Sequence, residues 1–164
     1  YRVLGNISWL KKNKNYYPVN SVASNMELRE KIDKKIKKYS SKRISLIDPS
    51  VNISSTKISP GVIINEGVTI GHGVQIKEGT ILSFNVNVGH GSKIDKFCFL
   101  ASGSSILGNC HIEKKVFIGS NSTILPKIKV GESSTIGINT NIISNVQKKS
   151  LVTLISPKNF KKFS

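Results

Sequence analysis

The chain has 164 residues, 38% of them hydrophobic, with 25 Lys and Arg against nine Asp and Glu, for a formal net charge of +16. No apolar run approaches the roughly 18 residues that span a bilayer, which excludes an integral membrane segment from the reading. Two cysteines without CxxC spacing, Cys98 and Cys110, argue against a zinc or disulfide framework and suit a reducing, cytoplasmic compartment. The charge would attract phosphate-bearing ligands, but the lysines fall in many short clusters away from base-stacking aromatics, so nucleic acid is not an expected partner.

The chain opens on Tyr1, and "YRVLGNI" reads as a strand already under way, so natural sequence is expected upstream. "YYPVNSVA" is a second strand-like stretch. "SNMELREKIDKKIKKY" carries a capping box, Ser24 to Glu27, with Leu28, Ile32 and Ile36 at helical spacing, and predicts an amphipathic helix. "RISLID" follows as a strand, so residues 1–48 read as part of an α/β unit.

From Ile58 every sixth residue to Ile142 is aliphatic. Two positions before each of the later fourteen stands a small or β-branched residue, so each hexad offers two inward side chains to a strand, one small and one large. Three positions after the aliphatic residue, eleven of the fifteen hexads carry Gly or Asn, from Gly61 to Asn145, which tolerate the left-handed backbone of a tight corner. A period of six is a solenoid signature. Residues 49–147 form this body, and 148–164 hold a last strand, "LVTLI", and a basic tail.

Two of the three histidines, His72 and His90, are three hexads apart at equivalent hexad positions, directly before a corner glycine. If three hexads close one coil, they stack on one edge, with Gly108 one coil beyond His90. An imidazole can take a proton from an amine or hydroxyl at neutral pH, and a bare backbone NH can hold a developing oxyanion. Cys98 and Cys110 are expected as free, buried thiols.

The hexads, with "PVNSVASNMELREKI", "IDPSVNIS" and "VGHGSKIDKFCFLASGSSILGNCHIEKKVFIGSNSTILP", resemble the hexapeptide-repeat acyltransferases, in the branch that acetylates amino groups of nucleotide-linked sugars or hydroxyls of sialic acids. The resemblance implies a mainly β fold, a left-handed parallel β-helix of about five coils with three hexads to a coil, preceded by a truncated, acceptor-binding α/β unit. It implies a homotrimer that uses acetyl-CoA, without a metal, on a sugar or nucleotide-sugar destined for surface glycans. His90 would then be the catalytic base, and the Gly108 NH would bind the thioester carbonyl. Phe99, Ser120, Ile138, Lys127, Lys148 and Lys149 would face CoA, and His72, Ser83, Asn85 and Asn87 the acceptor. The sequence departs from the branch in three ways: Gly91 stands where an Asp or Glu orients the histidine, Phe99 replaces a second histidine, and "GNISW" occupies the place of paired aspartates. Asn85, Asn87 or a carboxylate of another subunit could substitute for the missing acid.

Two other functions fit parts of the pattern. A zinc carbonic anhydrase of this fold needs three imidazoles around one open position, and the three histidines present are His72, His90 and His111, the last at a different hexad position from the other two. A non-catalytic scaffold or basic binding module would carry the same hexads, because these encode the fold and not the reaction.

Overall fold

The computed structural model describes residues 3, 5–23 and 25–154. Its body is a left-handed β-helix in which every third strand pairs in parallel. Fifteen two-residue strands, β2 (Lys57–Ile58) through β16 (Asn141–Ile142), follow the hexads, and partners lie three hexads apart, as Ser105 does from Asn87 and Thr123. Two flanking strands outside the hexad count, β1 (Leu46–Ile47) and β17 (Leu151–Val152), join the first face, which has seven strands. The second face, with Asn87, and the third, with Lys93, have five each. The rod is therefore longer than the five coils that the repeat predicts.

The aliphatic column fills the rod, with Ile76, Leu82, Ile94, Leu100, Ile106 and Ile112 all fully buried. Several small inner residues have a second task, holding an inward-facing amide of the next coil that has no strand partner. Ser92 Oγ donates to Leu107 O (2.9 Å) and accepts from Cys110 N (3.0 Å), and Thr80 and Ser122 make the same bridge. A hydroxyl here satisfies groups whose burial without a partner would cost about 1–3 kcal/mol each. Cys98 and Cys110 occupy this column as free thiols, and burial pushes Cys98 up to about 12, so it stays protonated.

Corners lie between strands, and φ is positive at all four positions where the repeat lacks Gly or Asn: Phe97, Lys115, Lys127 and Ser133. The coil geometry dictates this conformation and the residue type only eases it. Asn145 is the exception. The last coil is two residues short, so Thr135 pairs with Leu151, and Asn145 Oδ1 instead accepts from Lys129 N (2.8 Å) in place of a strand carbonyl.

The N-terminal expectations need correction. Ile7–Lys11 is a 3-10 helix, "YYPVNSVA" forms no strand, "YRVLGNI" lies partly outside the described residues, and among the described residues no strand precedes β1, which belongs to the rod. Helix α1 (Met26–Tyr39) is present, capped by Asn25, whose side chain accepts from Leu28 N (2.9 Å); Ser24 lies outside the described residues. Its buried stripe is Met26, Arg29, Asp33 and Ile36, while Leu28 is exposed. The basic tail, with the end of "LVTLI", also lies outside the described residues.

Candidate active site

Three edges separate the faces. On the edge between the third and first faces, α1 is fastened by charge. Arg29, 1% exposed, donates to Gly79 O, Asn20 O and Val22 O. Burial depresses its pKa to about 10, against the attraction of Asp33. Glu78 pairs with Lys37, Arg43 and Lys96. Its burial favours the neutral form, but these three cations together outweigh that and hold the carboxyl at about 2. Glu30, hydrogen-bonded to Lys115 and Lys34, is held at about 2 as well.

Among the described residues, the edge between the second and third faces carries no such fastening. His72, His90, Gly108 and Pro126 succeed one another there, one per coil. Amides hold the column in line: Gly91 N to His72 O (2.9 Å), Asn109 N to His90 O (2.8 Å) and Lys127 N to Gly108 O (2.9 Å). His90 is exposed. A methyl group built on Gly108 would fall 2.6 Å from His90 Nε2 and 2.9 Å from Cε1, so the imidazole fills the space that a side chain at 108 would need. The Gly108 NH donates to no acceptor among the described residues. A proton acceptor and a free amide thus meet at one solvent-open edge. Leu107, Leu125 and Ile143 continue beside it as an apolar strip, legible in the sequence only by stepping three hexads at a time along the position after the aliphatic one.

Neither asparagine proposed as a substitute carboxylate reaches this ring. Asn85, left-handed on the edge between the first and second faces, lays its Oδ1 against Gly67. Asn87 lies in β7 (Asn87–Val88) on the second face, accepting from Thr69 Oγ1 (2.9 Å) and donating to Ser105 Oγ (3.2 Å). Where a side chain at Gly91 would begin, the Asn109 amide oxygen already sits. Ser83 Oγ is 2.9 Å from Ser102 Oγ on the edge between the first and second faces, so of the four expected acceptor residues only His72 shares the His90 edge.

The residues expected around CoA do not form one groove within a chain. Ser120 and Ile138 are on the edge between the first and second faces, with Asn139 N donating to Ser120 O (2.9 Å). Phe99 stands on the first face, stacked on Phe117 at 5.5 Å between ring centroids. Lys127 is on the His90 edge, while Lys148 and Lys149 form the last turn, Lys149 N bonding Glu132 O (2.8 Å) between the third and first faces. The reason is periodicity: one hexad moves one edge along, and a hexad and a half reaches the opposite face. His111, on the third face, bonds Asp95 (2.9 Å), so within one chain it does not converge with His72 and His90.

No family model matches the sequence, and no curated protein is similar to it. Solved structures share the fold. PerB from Caulobacter crescentus, solved with CoA and GDP-perosamine, is 19% identical, with a TM-score of 0.84 over 90% of this chain and 71% of its own. The acetyltransferase domain of PglB from Neisseria gonorrhoeae, solved with acetyl coenzyme A, is 21% identical, with a TM-score of 0.86 over 93% and 76%. AntD, an N-acyltransferase from Bacillus cereus solved with dTDP and 3-hydroxybutyryl-CoA, is 15% identical, with a TM-score of 0.60 over 66% and 71%. The chain has the left-handed β-helix fold of these acyltransferases.

Proposed function

We propose that the protein is an acetyltransferase that moves the acetyl group of acetyl-CoA to an amino or hydroxyl group of a nucleotide-linked sugar, in the cytoplasm and as a homotrimer. The observation that carries this reading is the His90 imidazole lying against Gly108 beside a free amide. Neighbours of the same fold, solved with CoA, acetyl-CoA or a nucleotide sugar, support it. So does the scatter of the expected CoA residues over all three edges, since a second copy set against the His90 edge would supply those that its own chain directs elsewhere.

The step is a direct transfer. His90 takes the proton of the acceptor amine or hydroxyl, and the freed electron pair attacks the thioester carbon. The carbonyl oxygen becomes an oxyanion that accepts from the Gly108 NH. On collapse the C–S bond breaks, and the imidazolium returns its proton to the departing thiolate, giving CoA and the acetylated sugar. No covalent enzyme intermediate is required.

The test is CoA release from acetyl-CoA over a panel of amino sugars and nucleotide-linked amino sugars. Loss of a general base lowers the rate about 10²–10⁴-fold, so His90→Ala should lose turnover to that extent while keeping its mass in solution and its thermal stability. His72→Ala, on the acceptor side of the same edge, should raise KM for the acceptor and lower kcat far less than His90→Ala. Undetectable turnover of every acceptor by the folded wild type would instead support the non-catalytic scaffold.

A further inference from the structure

We infer that Gly71 and Gly89 are positioning residues of the transfer site: two side-chain-free steps, one per coil, that set the heights of the His90 imidazole and the Gly108 amide. The inference rests on the proposed acetyl transfer.

Both precede a member of the histidine column and are three hexads apart, so they stack. A methyl group built on Gly89 would fall 2.6 Å from Gly108 N and 2.6 Å from Leu107 C, against the peptide whose NH would receive the oxyanion. One built on Gly71 would fall 2.5 Å from His90 N and 2.9 Å from His90 Cα. Each glycine therefore lies against the backbone of the reactive residue one coil on. Neither has a positive φ, so backbone conformation does not demand glycine here and close approach does. Gly89 N donates to Ile106 O and Gly71 N to Val88 O (2.8 Å), which locks the spacing. In the third coil the column changes to Leu107, beyond the last residue whose height the transfer depends on.

The same contact recurs away from the site. A methyl group on Gly119 would fall 2.5 Å from Gly137 C, on the edge between the first and second faces. Gly119→Ala thus imposes an equal steric insult on the coil without touching His90 or Gly108; because it presses on Ile138 N (2.7 Å) beside Ser120, residues expected to face CoA, the readout that separates a positioning role from a structural one is kcat and not KM for acetyl-CoA.

Gly71→Ala, Gly89→Ala and Gly119→Ala are to be compared for kcat, KM for acetyl-CoA and acceptor, the pH profile and Tm. Loss of an oxyanion donor lowers kcat about 10²–10³-fold. Gly89→Ala should lower kcat at least 10-fold, with both KM values within about threefold and the pH profile in place, because the amide moves and the base does not. Gly71→Ala should lower kcat and displace the pH profile, because the histidine backbone moves. Gly119→Ala should match their loss of Tm and keep kcat within about twofold, with any loss of activity confined to a higher KM for acetyl-CoA through Ser120 and Ile138. Equal kcat in Gly89→Ala and Gly119→Ala would overturn the inference. So would failure of both Gly71→Ala and Gly89→Ala to fold while Gly119→Ala folds, the glycines then serving coil stacking alone. If His90→Ala retains turnover, the acetyl-transfer reading falls first; if His90→Ala is dead and Gly89→Ala is active, that reading stands and only this inference falls.

Discussion

Two edges of one rod, built from the same hexad, have opposite character. Between the third and first faces the corner positions hold Glu78, Lys96, Lys114 and Lys115, and helix α1 is bound over them through Arg29, Glu27, Glu30 and Arg43. Between the second and third faces the equivalent positions are His72, His90, Gly108 and Pro126, with glycines beside the histidines and, among the described residues, no carboxylate paired with the ring of His90. The hexad fixes where a corner falls and leaves its chemistry free. One edge uses that freedom for attachment, and the other leaves a base and an amide exposed.

The sharpest way to break the fastened edge is Arg29→Ala. Removing this side chain leaves Gly79 O, Asn20 O and Val22 O without their charged donor, at about 1–3 kcal/mol each, so Tm should fall and α1 should become protease-sensitive while the hexad body stays resistant. At the open edge, Gly108→Ala puts a methyl group into the space of the His90 ring. Turnover should fall about 100-fold, the scale of a lost transition-state contact, with Tm little changed, so the two edges would separate stability from activity. A smaller effect is expected at Gly91, whose φ is +66°. Gly91→Asp should cost about 1 kcal/mol from backbone strain alone, plus its collision with Asn109. The double variant Gly91→Asp, Asn109→Gly should recover the collision part, as chemical denaturation would show.

The smallest effect follows from proton linkage. Glu30 and Glu78 ionise near 2 in the folded chain against an ordinary 4.5. Folded pKa values below the unfolded ones make their stabilisation complete above about 4.5 and lose it progressively as pH falls towards 2. Tm measured from pH 6 to pH 2.5 should drop over that window, and the Glu78→Gln variant should drop less. An equal slope in both would remove Glu78 from the fastening.

The rod was legible in the sequence because a β-helix repeats one physical demand, an aliphatic residue inward every sixth position with a turn after it, and fifteen repetitions outweigh local noise. The N-terminal unit was less legible. "YYPVNSVA" has strand composition but no strand partner, and the stripe of α1 is read poorly by hydrophobicity because its buried members include Arg29 and Asp33, admitted by carbonyls and counter-charges that lie far off in the chain. Asn145 looked like a corner, but a coil shortened by two residues gives it another task.

By itself the sequence determined the coil, its inward columns and the vertical alignment of His72, His90 and Gly108, since the step from one coil to the next is arithmetic once three hexads close a turn. Tertiary structure alone decided which columns face which way. The outward residues of every third strand gather into an apolar first face with Phe99 and Phe117, a small polar second face with Asn87 and Ser105, and a basic third face with Lys57, Lys93 and Lys129. Lysines that look scattered along the chain thus share a surface. It also decided that the Asn109 amide fills the place above Gly91 and that Gly89 lies against the Gly108 amide. Those contacts depend on coil-to-coil distances of a few ångströms, which residue order encodes only through the packing of the whole rod.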